Sequence, residues 1–396
     1  HGFRPNRSCH TALEQIQVKF TGSKWFIEGD IKGFFDNIQH NILIDILKER
    51  IADERFLRLI RKFLNAGYLE DWVYHKTYNG TPQGGIISPI LANIYLDKLD
   101  KYIKEYIESA DLAIANLETT FSGEENNGFA GFPSFNTPDS LADAMKNTGF
   151  DVIVNMNNHA LDRGTSGYLR TISVLKNKGF DIAGTREDSD AKRYIIKDIE
   201  GIKIGIIAYG YAMTSSQEEA YGLNDIPIPS ELSPLMNYFH EYNLDEDLEQ
   251  MKEQIKLMRN DGAEVIIFYM HWGEEYNQEP NDVQKKIAQY LTNEKADIIL
   301  GTHPGCIQPV DVLKSSDGSS ETYVVYSLGN FFAVDGAEER ENEYAEDGVI
   351  VSLSISKNLK TKEVIINPPQ YIPIWVNYYK KDNKKTLKLL SQVSAS

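Results

Sequence analysis

The chain has 396 residues, enough for two or three domains of ordinary size, and 41% hydrophobic with 11% aromatic content excludes a disordered polypeptide. Its net charge of −17 is uneven: residues 1–107 carry 15 Lys and Arg against 13 Asp and Glu, whereas the other 289 carry 26 against 45. The first part can approach a phosphate backbone, the second would repel one unless metal ions intervened, and the shift puts a boundary near residue 100. Cys9 and Cys306 are the only cysteines, each expected to stand alone, so no disulfide framework is read. No apolar run approaches the roughly 18–20 residues of a membrane span. The opening HGFRPNRSCH lacks an initiator Met, which is read as a missing start of a longer parent frame.

In chain order, SKWFIEGDIKGFFDNIQH holds an apolar, aromatic run ending at Asp30, followed by Phe34, Phe35 and Asp36. An acid at a strand end suits metal coordination, since the strand positions it and the loop leaves it open to ligand. The same residue equally suits a cap on the following turn. In YNGTPQGGIISPILANIYLDKLD, Gly80, Gly84 and Gly85 allow close backbone approach, and Pro89 is expected to open a helix carrying Ile90, Leu91, Ile94 and Leu96.

Three pieces, GFRPNRSCHTAL, DIKGFFDNI and TPQGGIISPILANIYLDKLD, occur in the order in which they resemble the fingers and upper palm of group II intron reverse transcriptases of the maturase type. The resemblance covers residues 1–100. It implies that Asp30 is the first of three catalytic aspartates holding two Mg²⁺ ions. Phe35 stands where the family places an aromatic gate, and Gln83 with Gly84 near the incoming nucleotide. The chain departs from the pattern, because no Tyr-x-Asp-Asp tetrapeptide occurs in it. Two-metal phosphoryl transfer needs several clustered carboxylates. Asp30 alone cannot hold the pair, so the nucleotide and Mg²⁺ sites are expected to be vestigial and RNA or DNA binding weak or absent.

From residue 110 onward, short apolar runs alternate with helical patterns: DLAIANLE, DVIVNMNNH, FDIAGT, IKIGIIAYGY, AEVIIFYMHWG, ADIILGTHPG, TYVVYSLGNFF and DGVIVSLSI. NTPDSLADAMKNTGF and LDEDLEQMKEQIKLMRNDGA read as helices, the latter through Leu248, Met251, Ile255 and Met258, closed by Gly262. NDVQKKIAQYLTNEKA reads as another, capped by Asn281. Such alternation predicts an α/β domain with a buried sheet. The basic segment from Lys380 is expected to fray.

What ends these runs is chemistry: Asn116 and Glu118; Asn157, Asn158 and His159; His271; His303; and Ser327, Gly329 and Asn330. Ligands of α/β folds gather where strand carboxyl ends open into loops. Imidazoles, a carboxylate and an Asn carbonyl suit Zn, Mn or Fe rather than Ca. Singly, each has a plainer role: a satisfied histidine, an Asn turn, a solvated acid.

ADLAIANLETTF, NNHALDRG, MHWG, GTHP with IQPV, and YSLGNFF resemble, in order and spacing, the CapA family of poly-γ-glutamate capsule biosynthesis proteins, over residues 100–375. The resemblance implies a calcineurin-like metallophosphoesterase fold. Glu118, Asn158, His159, His271 and His303 would line the metal site, His159 and His271 with catalytic roles, and Asn116 and Asn330 would orient them. Two departures stand out. The family's opening Gly-Asp strand has no counterpart in place, and Gly305 stands where the family usually has a second His.

The expected architecture is therefore mixed, α+β followed by α/β. A reverse-transcriptase fingers–palm fragment over 1–100 precedes a four-layer αββα sandwich lacking its first strand over 101–378, with a basic tail over 379–396. Such a chimera would arise by intron-associated rearrangement or by joining of unrelated DNA reads. Three functions follow: a CapA-type protein with a divalent-metal hydrolase centre acting on a phosphoester or anionic polymer, an RNA-directed DNA polymerase, or a non-enzymatic binder of capsule polymer. CapA-like parents are typically extracytoplasmic or membrane-tethered and maturases cytoplasmic, which leaves the cellular address open.

Overall fold

The computed structural model describes residues 40–66, 68–70, 73–75, 90–91, 94, 104–214, 221–240, 243–332, 342, 344–381 and 384–391. The chain divides into two units, His1–Glu105 with Asn377–Leu390, and Tyr106–Val376 with Ser391–Ser396. Asp30, Phe35, Gln83 and Gly84, which the sequence ties to polymerase chemistry, lie outside the described residues.

In the first unit, α1 (His40–Lys48) precedes α2 (Glu54–Leu64). The α2 helix begins where the Asp53 carboxylate accepts from the backbone N–H groups of Arg55 and Phe56, at 2.8 and 3.3 Å, satisfying donors that a helix start leaves orphaned. Leu57, Ile60 and Leu64 share one face at helical spacing and bury against Leu43, Ile44 and Leu47, with Leu91 completing the cluster. A two-stranded antiparallel ladder follows, β1 (Tyr68–Glu70) with β2 (Val73–His75).

The second unit carries two main sheets. In the smaller, β3 (Ile114–Asn116), β4 (Val152–Val154) and β5 (Asp181–Ala183) run parallel, in that order. Parallel neighbours need crossovers, and α3 (Ser140–Thr148) and α4 (Gly164–Asn177) supply them. The larger sheet starts with β6 (Ile195–Ile199) and β7 (Ile202–Tyr211), an antiparallel pair. A small antiparallel sheet of β8 (Met213–Thr214), β9 (Tyr221–Leu223) and β10 (Ile226–Pro227) branches off before β11 (Tyr238–Phe239). Next come α5 (Leu244–Asn260), β12 (Val265–His271), α6 (Asp282–Asn293), β13 (Ile298–Thr302), β14 (Val310–Lys314) and β15 (Glu321–Val325). The order is β11-β7-β12-β13-β15-β14, with β6 also on β7; the pairings are parallel except for the two outer hairpins, β6–β7 and β14–β15.

Strand alternation sorts the side chains into layers. Ile204, Ile206, Ile267 and Tyr269 pack with Val152, Val154 and Ala183 of the smaller sheet. Ile207, Tyr209, Ile266, Phe268 and Met270 face the other way, onto Leu248, Met251 and Ile255 of α5 and Ile287 and Leu291 of α6. Beyond the smaller sheet, Ile153 packs with Ala142 of α3 and Leu175 of α4. The arrangement is mixed α/β: helix, sheet, sheet, helix. Because β7 and β12 are covered on both faces, their sequences are near-continuous apolar runs rather than alternating ones.

The segment expected to fray from Lys380 instead contains strand backbone, within Gln370–Lys381 and again over Lys384–Ser391. Its alternation of Leu387 and Leu389 with Thr386 and Lys388 has the period of a strand, which outweighs the terminal position. Among the described residues, no helix is long and apolar enough to cross a membrane.

Candidate metal centre

Strand register assembles the site. His271 ends β12 and pairs with Gly210 of β7 on one side and with Thr302 of β13 on the other. His303 and Tyr211, each one residue beyond those partners, therefore flank it. From the smaller sheet, the segment after β3 brings Glu118 and the loop after β4 brings Asn158. One ligand atom each from Glu118, His271 and His303 lies within 4.8 Å of the others. The His271 Nε2 is 3.8 Å from Glu118 Oε1 and 2.8 Å from Asn158 Oδ1. Its Nδ1 is 3.2 Å from the Thr302 hydroxyl, a group able to accept as well as donate.

Asparagines hold the two strand ends together. Asn157 is fully buried; its Nδ2 donates to the Leu117 carbonyl at 2.8 Å and to Asn116 Oδ1 at 3.2 Å. Its Oδ1 accepts from the His159 N–H at 3.1 Å. Asn116 in turn donates to Glu118 Oε2 at 3.3 Å. Asn330 braces the other side, donating to the carbonyls of Gly305 at 3.0 Å and Ala345 at 2.9 Å.

His159 is not one of the three converging groups. Its Nδ1 lies 2.7 Å from Asp162 Oδ2, with only 6% and 2% of the two side chains exposed. That same carboxylate oxygen accepts from the Phe135 N–H at 2.7 Å, and the Phe135 ring centroid is 4.4 Å from that of His159. Asn224 lies 3.3 and 3.4 Å from the ring nitrogens through Nδ2, and its Oδ1 accepts from Asn158 at 2.9 Å.

Electrostatics favour a cation. Burial pushes the Glu118 carboxyl up to about 7, with Glu275 and Asp162 adding to the rise and His159 opposing it. Since 37% of the Glu118 side chain is exposed, water screens part of that effect. Burial, and then the facing His303 and His159, hold His271 well below the ordinary imidazole range. Burial holds His303 down to about 4, with His159 adding to it. Both imidazoles are thus neutral near pH 7, the form that ligates metal. The His303 Nδ1 is buried without a hydrogen-bond partner. One carboxylate, two neutral imidazoles and an amide oxygen fit a divalent Zn, Mn or Fe ion.

The sequence reading passed over Asp162, Tyr211, Asn224 and Thr302. Asp162 follows His159 by three residues, a visible spacing. Tyr211 ends the long run IKIGIIAYGY much as His271 ends its own. Asn224 comes from a distant turn, with φ of +47°, and leaves no local mark.

The unit is thus a mixed α/β fold with a carboxylate–histidine cluster at its strand ends that could hold a metal ion, and comparison narrows the class. Residues 71–334 match the family described as bacterial capsule synthesis protein PGA_cap, and residues 1–120 match the reverse transcriptase (RNA-dependent DNA polymerase) family. The chain belongs to the bacterial capsule synthesis protein family, joined to a reverse-transcriptase segment. The capsule biosynthesis protein CapA of Bacillus anthracis is 25% identical over 252 residues, 63% of this chain and 56% of that protein. The PGA biosynthesis protein CapA of Bacillus subtilis is 26% identical over 268 residues, 66% of this chain and 62% of that protein. The group II intron-encoded protein LtrA of Lactococcus lactis subsp. cremoris is 64% identical over 103 residues, 26% of this chain but 17% of that protein. The chain thus spans a small fraction of its intron-encoded relative and under two thirds of its capsule relatives.

Proposed function

We propose that the second unit is a CapA-type protein of poly-γ-glutamate capsule biosynthesis, with a metallophosphoesterase-like fold and a divalent-metal centre for hydrolysis of an anionic substrate, a phosphoester or the polymer itself. The observation that carries this reading is the convergence of Glu118, His271 and His303, with Asn158 Oδ1 on the same imidazole nitrogen. Glu118, His271, His303 and Asn158 would hold the ion. A divalent cation there supplies positive charge that polarises a phosphoryl or carbonyl oxygen. Asn116 orients Glu118, and Asn157 fixes both strand ends. His159, its Nδ1 held by the Asp162 carboxylate, is oriented to exchange a proton at Nε2, beside Asn224. The four-layer arrangement supports the fold assignment, and the names of the capsule relatives support the biological setting. A polyanionic substrate would meet an acidic chain, so the cation also serves to bridge like charges.

The first unit is read as a polymerase remnant without activity of its own. The test uses the full chain: metal content per polypeptide by mass spectrometry, then turnover of a chromogenic phosphodiester with Mn²⁺, Zn²⁺ or Fe²⁺. Bound metal with turnover lost in His271→Gln is the expected outcome. Bound metal without turnover on phosphodiester or polyglutamate would favour a polymer-binding role instead. A chain that retains no metal removes the hydrolase reading altogether.

A further inference from the structure

We propose that Tyr211 is a positioning residue of this centre: its hydroxyl takes the Nε2–H of His303 and leaves Nδ1 as the nitrogen that faces the cation. The inference rests on the metal-centre reading above and adds to it the residue that sets one ligand's tautomer.

The geometry is specific. The Tyr211 hydroxyl is 3.2 Å from His303 Nε2. Its ring centroid is 4.8 Å from that of His303 and 6.3 Å from that of His271, lying within 4° of parallel to the latter. The two imidazoles are themselves 4.8 Å apart, so one tyrosine touches both. A neutral imidazole carries a single proton. On Nδ1 of His303, that proton would be a buried donor with no acceptor, an expensive arrangement. On Nε2, it points at the Tyr211 oxygen, and Nδ1 keeps a lone pair for a cation. Hydrogen bonding at one ring nitrogen commonly decides which other nitrogen ligates, and raises its basicity.

The backbone supplies an independent observation. His303 has φ of +100°, a region that side-chain-bearing residues rarely occupy. Neighbouring bonds hold the turn there: Tyr276 N–H donates to the Pro304 carbonyl at 2.6 Å, and Asn330 donates to the Gly305 carbonyl at 3.0 Å. Strain retained at a strand end, where a glycine would relieve it, indicates that the turn is built to aim this ring.

The experiment compares the full wild-type chain with Tyr211→Phe, which keeps the ring, and with Tyr290→Phe, which keeps a half-buried ring and removes only a hydroxyl bonded to the exposed Glu249. Co²⁺ affinity is measured by absorption titration, and histidine tautomers in the metal-free wild type by long-range ¹⁵N NMR. Tyr211→Phe is expected to weaken Co²⁺ binding about 10- to 100-fold, with Tyr290→Phe at the wild-type value and His303 in the Nε2–H form. Unchanged affinity in Tyr211→Phe, or an Nδ1–H tautomer in the wild type, overturns the role of Tyr211 while leaving the metal centre standing. A wild type that binds no Co²⁺ overturns the metal reading and this inference with it. The tautomer measurement needs no variant, so a poorly folding Tyr211→Phe does not rescue the proposal.

Discussion

Asn157→Ala tests whether the site is held by its polar frame. The side chain makes three hydrogen bonds, to Leu117, Asn116 and His159, from a fully buried position. Truncation leaves the Leu117 carbonyl and the His159 N–H buried without those partners, at about 1–3 kcal/mol each. Water entering the vacated space recovers part of that, so a net loss of about 3 kcal/mol is expected. For a unit spanning Tyr106–Val376, that corresponds to a fall in melting temperature of about 6–10 °C. Scanning calorimetry of the full chain measures it, with the two units fitted as separate transitions. Metal affinity should fall in parallel by about tenfold, because Asn116, which orients Glu118, and the His159 backbone both lose their tie. A variant that melts and binds metal like the wild type would show that the frame is incidental, and the reasoning from strand-end asparagines to site geometry would fail.

Three further outcomes follow from the same structure. Because burial lifts Glu118 to about 7, cation binding must displace its proton below that pH; affinity should drop up to about tenfold per pH unit beneath 7 and level off above it. Titrations across that range check this, a flat profile refutes it, and Glu118→Gln should bind weakly without the slope. His303, held to about 4, stays neutral and adds nothing to the profile until the solution is far more acidic. Gly301→Ala would drive a Cβ into the Tyr326 carbonyl and the Trp272 indole, so it should destabilise the second unit by about 1–3 kcal/mol or more in the same calorimetry. Primer extension by the full chain with Mg²⁺ should give no product, and any template-dependent product would show that Asp30 has partners the sequence conceals.

Much of the second unit could be read from the sequence because buried parallel strands are apolar along their whole length, so a polar residue at the end of one is conspicuous. His271 after VIIFYM and His303 after IILGT are of this kind. Three of its helices, α3, α5 and α6, announced themselves by spacing or a cap, whereas α4, without a side-chain cap, did not. At α6, Asn281 Oδ1 accepts from the Gln284 N–H at 2.9 Å and the Asn281 N–H donates to Gln284 Oε1 at 3.0 Å. What the sequence could not convey was which strand-end residues meet. Glu118, Asn157, Asn158 and His159 all looked alike as loop residues, yet the fold sends Asn157 inward as a staple and gives His159 to Asp162. Tyr211 was hidden for a different reason: a tyrosine closing an apolar run is ordinary core chemistry until the neighbouring strands bring two histidines to it. The strand near the C-terminus was less legible because lysines stand among its leucines and mask the two-residue period.

The junction between the two families has a consequence for charge. Both family matches include residues 71–120, so the seam lies in a stretch either pattern tolerates. Every residue that builds the centre falls between Asn116 and Asn330, inside the capsule-family match and clear of the first unit. Among the described residues of this stretch, Glu118 is the one carboxylate in the cluster: Asp162 is occupied by His159, and Glu275 acts on Glu118 from the exposed loop after β12. One carboxylate with neutral imidazoles and an amide balances part of a single divalent charge. A second ion would add two positive charges against mostly neutral ligands, and at an effective dielectric of about 20 two such ions about 4 Å apart repel by well over 10 kcal/mol. If the centre binds metal as proposed, one divalent cation per chain is the expected stoichiometry, and metal content by mass spectrometry checks it; two ions per chain would refute this charge argument.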